Sequence, residues 1–137
     1  VGNTIRTGIR SMTEIKYDDG TLTRIGSRSN ITINDRKILI NKGYIWGKVN
    51  KDLTKGLKIF TSSAVVAIVG TEFFVEVNSD KSTTVTVLEG IIEVTGKKSK
   101  IFVVPGTYSR IYENGTISEP ENFKTEEVFA RYSDVTK

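Results

Sequence analysis

The sequence predicts an all-β fold: many short, mostly antiparallel strands in two packed layers, a sandwich or roll with a β-solenoid-like coil as the alternative, and a short C-terminal helix. Three observations predict it. Strand-like segments recur about every 8 to 12 residues, the spacing of sandwiches and solenoids. Glycines at 20, 26, 43, 47, 56, 70, 90, 96, 106 and 115 separate them without a fixed-period repeat. Between Ile59 and Gly90, an uninterrupted apolar run, Ala64 to Val69, is followed by Gly70-Thr71 and then by Phe73, Val75 and Val77 alternating with Glu72, Phe74 and Glu76. The run reads as a central strand covered on both sides. The alternation reads as a strand with one buried face.

In chain order, Val1 to Thr7 opens as a strand. Glu14 to Tyr17 and Thr21 to Ile25 flank Asp18-Asp19-Gly20 as a hairpin in which glycine supplies a positive φ. Ile31 and Ile33, then Ile38 to Ile40, flank Asn34-Asp35 as another. Tyr44 to Val49 is aromatic and β-branched, hence a strand, and Asn50 to Gly56 is a polar loop. Thr83 to Leu88 and Ile91 to Thr95 flank Glu89-Gly90, a tight connection of hairpin type. Lys100 to Val104 is a strand stopped by Pro105-Gly106, and Asn114-Gly115 turns Arg110 to Glu113 back towards Thr116 to Ser118. From Glu119 the chain becomes charged and helix-tolerant. Thr125 is placed to cap a two-turn helix, with Glu126 and Glu127 at its positive end and Val128, Phe129 and Tyr132 as a stripe packing on the domain's own sheet. The domain organisation is therefore a β domain over residues 1–118 and a tail over 119–137.

A chain of 137 residues fits one core. No run reaches the roughly eighteen apolar residues of a membrane-spanning helix. Cysteine is absent, which excludes disulfides, thiol nucleophiles and thiolate metal sites; histidine is absent too, which removes the usual general base near neutral pH and the commonest metal ligand. The formal charge of +4 is spread along the chain. Lys97, Lys98 and Lys100, and the looser group Arg24, Arg28, Arg36 and Lys37, read as solvated charges that protect strand edges. Aromatic and basic residues interleave only weakly, so no nucleic-acid partner is expected.

Other chemistry would fall to carboxylates or serines. Asp18 and Asp19 with Glu72, Glu76 or Glu89 could form a glycosidase-like pair, but Asp-Asp-Gly is a common turn and the glutamates alternate as a solvated strand face. Ser62 and Ser63 lack a fixed basic partner and read as a bend. Asp18-Asp19 and Asn78-Ser79-Asp80 offer too few oxygens for calcium. No catalytic residue, metal or cofactor is expected. Tyr44, Trp46 and Phe74 are the candidates for binding a partner: they fall on outward strand faces, where a ring can anchor a protein, stack on a sugar or cover the sheet.

The order of residues in the middle of the chain resembles the FecR domain family. The matching residues are Thr61, Ala64 to Ile68, Gly70-Thr71, Phe73 and Val85-Thr86-Val87-Leu88-Glu89-Gly90, flanked by Val1-Gly2, Ile5-Arg6-Thr7-Gly8, Asp19-Gly20-Thr21, Ile25-Gly26 and Val104-Pro105-Gly106. The likeness covers about residues 1–112. Ser62 departs from the usual proline, and Val69 stands where an arginine usually precedes Gly-Thr. The resemblance makes Gly70, Thr71, Phe73, Glu89 and Gly90 the structural motif. It implies an extracytoplasmic, non-catalytic sensing and protein-binding module, such as the periplasmic part of a transmembrane sigma-factor regulator that touches a transporter's signalling domain. A membrane anchor or leader is then expected upstream. The alternative is a cell-envelope structural or glycan-binding module, and a hydrolase on a β scaffold is disfavoured without histidine.

Overall fold

The computed structural model describes residues 3–9, 11–49 and 56–136. Among them lie strands β1 (Asn3–Arg6), β2 (Thr13–Lys16), β3 (Leu22–Ile25), β4 (Asn30–Asn34), β5 (Lys37–Lys48), β6 (Leu57–Phe60), β7 (Val65–Ile68), β8 (Glu72–Val77), β9 (Thr83–Glu89), β10 (Ile92–Thr95), β11 (Lys100–Val103), β12 (Thr107–Ile111) and β13 (Glu121–Asn122), then helices α1 (Thr125–Arg131) and α2 (Ser133–Thr136). The chain is all-β with short C-terminal helices.

The long strand β5 organises the rest. Its first half pairs with β4 and, in parallel, with β6; its second half pairs with β3 and β8. One continuous ladder thus curls into two layers. The first runs β1-β4-β5-β6-β7-β10-β11 and the second β2-β3-β5-β8-β9-β12-β13. The chain changes layer within β5 at Gly43, whose φ is +95° and whose missing side chain leaves room for Ser29: a Cβ there would lie 2.0 Å from the Ser29 Oγ. Only glycine fits such a bend.

Alternation sets what faces inward. Ile31, Ile38, Ile59, Val66, Ile92 and Val94 of the first layer meet Ile25, Ile45, Phe73, Val75, Val85 and Val87 of the second in a single buried cluster. Phe73, Val75 and Val77 lie on the inner face of β8, with Phe73 and Val75 fully buried, as the alternation requires.

Several local expectations are corrected. Ala64 to Val69 does not form a strand covered on both sides: β7 alternates between half-buried and buried residues, and Val69 is 55% exposed. Ile38 to Ile40 and Tyr44 to Lys48 belong to one strand, with Val49 just past its end, because Gly43 bends the ladder without ending it. Thr83 to Leu88 and Ile91 to Thr95 are not a hairpin, since β9 pairs with β8 and β12 whereas β10 pairs with β7 and β11. Glu89-Gly90 is a corner between layers. Thr125 is the first helical residue rather than the cap; Lys124 holds the cap position with no side-chain capping bond. Phe129 is 41% exposed, and the packed stripe is Val128, Tyr132 and Val135. The expected loop at 50–56 lies, apart from Gly56, outside the described residues.

Candidate interaction site

The motif residues sit where the chain passes between layers. Gly70-Thr71 carries it from β7 to β8, and Glu89-Gly90 from β9 to β10. The two corners stack: a Cβ on Gly90, at φ +83°, would lie 2.5 Å from the Thr71 Cγ2 and 2.6 Å from the Gly70 carbonyl oxygen. Gly70 itself has φ +61°. Thr71 and Phe73 are buried beside them, and Glu89 faces solvent.

Tyr44, Trp46 and Phe74 share the outer face of the second layer, with Trp46 directly opposite Phe74 and Tyr44 opposite Glu76. That face is covered by the chain's own C-terminus. Trp46 is 9% exposed and Phe74 is fully buried, in a second apolar cluster with Val128, Tyr132 and Val135. The Tyr132 ring stacks on Phe74 and tilts against Tyr44 at 5.1 Å.

Polar contacts tie the helices down around this centre. The Glu76 Oε1 accepts from the Tyr132 hydroxyl at 2.9 Å and from the Arg131 Nη2 at 3.0 Å. The Tyr44 hydroxyl donates to the Asp134 Oδ2 at 2.7 Å, and the Arg24 Nη1 donates to the Val135 carbonyl at 2.9 Å. Arg24 also lies over the Trp46 ring, 5.0 Å from its centroid, while the Trp46 Nε1 donates to the Glu72 Oε2 at 3.1 Å. Burial, then the Asp134 hydrogen bond, pushes the Tyr44 hydroxyl up to about 12. Burial, then the Glu76 charge, pushes Tyr132 up as well. Both stay protonated donors at neutral pH.

Beside α1, a recess of about 400 Å³ is floored by Thr84, Thr86, Tyr108 and Arg110 and walled by Phe123 and Arg131. The Tyr108 hydroxyl donates to Glu121 at 2.5 Å, which raises its pKa. This lining can hydrogen-bond a polar group but presents no activated nucleophile.

The other sequence candidates are occupied in turns. Asp19 accepts from the Thr21 backbone and pairs with Arg36 at 2.9 Å; Asp80 accepts from the Ser82 backbone and hydroxyl. These contacts hold both carboxyls below their usual pKa, backbone hydrogen bonding leading for Asp19 and the Ser82 hydroxyl for Asp80. Ser63 and Thr61 share the Thr83 hydroxyl at 2.6 Å each. Glu76, Arg131, Tyr132 and Asp134 were not singled out as a cluster by sequence; the apolar pair Val128 and Tyr132, one helical turn apart, was the available signal.

Among known proteins, the profile described as FecR protein matches residues 3–93, more than half of the chain. Two crystal structures of a Parabacteroides distasonis protein, described as a putative anti-sigma factor, share the fold. They superpose with TM-scores of 0.77 and 0.79 at 21% identity, covering 94% and 95% of this chain. The chain spans 64% of the length of each. No curated protein matches it significantly.

Proposed function

The chain belongs to the FecR protein family, and from that premise we propose that it is a non-catalytic sensing and protein-binding module, the extracytoplasmic part of a transmembrane sigma-factor regulator. The family match over residues 3–93 carries the reading, and the fold shared with the P. distasonis protein supports it. No helix among the described residues is long and apolar enough to cross a membrane, so the reading requires an anchor and a cytoplasmic segment elsewhere in a longer product.

The partner, on this reading, is a protein of the cell envelope such as a transporter's signalling domain. Tyr44, Trp46 and Phe74 take part only if the C-terminal helices lift, because those helices now occupy the face. A glycan-binding role through the Tyr44, Trp46 and Phe74 rings has less support: stacking on a sugar needs an open ring face, and Trp46 and Phe74 are covered.

Deleting the full-length gene in its host and sequencing the transcripts tests the proposal. A discrete gene set should change and coincide with the set controlled by one sigma factor. An unchanged transcript profile contradicts it.

A further inference from the structure

The outer face of the first layer carries an apolar corner that nothing in the chain covers among the described residues. On neighbouring strands Lys37, Lys58, Ala67, Glu93 and Phe102 stand in one cross-strand row. The same register, carried one step further, places Val69, Ile91 and Val104 in the next row. Val69, Ile91, Phe102 and Val104 are 55%, 57%, 59% and 44% exposed. Four large exposed apolar side chains thus gather at three adjacent strand ends, unlike single exposed residues scattered over a surface.

The chemistry of the rim points to an occupant. Beside Val69, a dent of about 280 Å³ opens against Gly56, with Lys37 and Lys58 at its mouth. Both lysines are exposed and make no ion pair among the described residues. The carboxylate within the patch, Glu93, lies 3.7 Å from Lys100, at the free edge of β11. The corner is therefore apolar at its centre, with positive charge along one side that no ion pair among the described residues offsets, and charge complementarity selects an acidic partner.

We propose that the corner formed by Val69, Ile91, Phe102 and Val104, with Lys37 and Lys58 beside it, docks a protein segment whose apolar residues are flanked by carboxylates. The proposal rests on the regulatory reading above and locates its partner surface away from the face that α1 and α2 cover. Apolar burial supplies the affinity, and the lysines set orientation and speed association.

The test places a photo-crosslinking amino acid at position 91 of the full-length protein in its host, with position 16, on the other layer, as control. The expected result is an adduct from 91 and none from 16. Its mapped peptide should belong to a different polypeptide and combine apolar residues with flanking Asp or Glu. Lys37→Glu with Lys58→Glu, in a variant whose circular dichroism is unchanged, should cut the adduct yield about tenfold, as the loss of two interfacial charge pairs requires. No adduct at 91, an adduct to a second copy of the chain, or a yield indifferent to charge reversal would overturn the proposal. Those failures leave the regulatory reading intact if deleting the gene still changes the sigma-dependent transcripts; a deletion without effect removes that reading whatever the crosslink shows.

Discussion

The Tyr132 ring lies stacked on the Phe74 ring, with 4.5 Å between centroids and 17° between planes. This contact joins the C-terminal helix to the middle of the second layer and closes a face that would otherwise expose Phe74 and Trp46. Tyr132→Ala should lower unfolding free energy in urea by about 3 kcal/mol or more, the range for deleting a buried aromatic ring. Tyr132→Phe keeps the stack and leaves Glu76 its Arg131 partner, so it should cost only about 1 kcal/mol. Equal losses would mean that the hydroxyl, not the ring, holds the helix.

Alkaline pH should loosen a neighbouring tie between the same face and the C-terminal helices, the Tyr44–Asp134 hydrogen bond. The Tyr44 hydroxyl is raised from 10.0 to about 12, by burial first and by its hydrogen bond to Asp134 second. A group whose folded pKa is raised contributes stability that is fully present below its unfolded value and is lost as pH rises through the folded one. Stability should therefore decline between about pH 10 and 12. Tyr44→Phe should flatten that decline, read by urea melts at stepped pH; an unaltered alkaline limb would exclude Tyr44 as a contributor.

Gly90 and Gly106 separate backbone strain from steric conflict. Both have positive φ, +83° and +82°, but a Cβ at Gly106 meets nothing within 4 Å whereas one at Gly90 collides with Thr71 and the Gly70 carbonyl. Gly106→Ala should cost about 1 kcal/mol from φ alone. Gly90→Ala should cost clearly more and weaken the corner between layers, seen as faster hydrogen exchange in β8 and β10. Similar losses at both sites would show that the stacked corners relax freely.

Trp46→Ala tests which role the indole has. Its ring is buried beneath the chain's own C-terminal residues and its Nε1 is bonded to Glu72, so the substitution should destabilise by about 3 to 5 kcal/mol. Intact stability with lost partner binding would instead mark it as an exposed anchor.

Period-two alternation made the inner face of β8 legible, because Phe73, Val75 and Val77 alternate with Glu72, Phe74 and Glu76. The same alternation put Tyr44, Trp46 and Phe74 on outward strand faces. The stripe of Val128 and Tyr132 signalled packing on the domain's own sheet, but nothing near Tyr44, Trp46 or Phe74 in sequence marks theirs as the face it covers. Pairing partners were also hidden. A glycine that turns a hairpin and one that carries the chain between layers look alike in sequence, so Glu89-Gly90 read as the former and Gly43 as a break. The apolar run at Ala64 to Val69 suggested cover on both sides; the outward members Val65, Ala67 and Val69 instead approach or join the exposed corner that sequence alone gave no reason to single out.

The most direct test of the regulatory account removes residues 3–122 from the full-length gene, leaves the remaining segments in frame, and follows the sigma-dependent promoters while the inducing signal is applied and withdrawn. Promoter output fixed at one level under both conditions is the predicted result, because the domain would be where the signal is received. Output that still rises and falls with the signal would contradict the account.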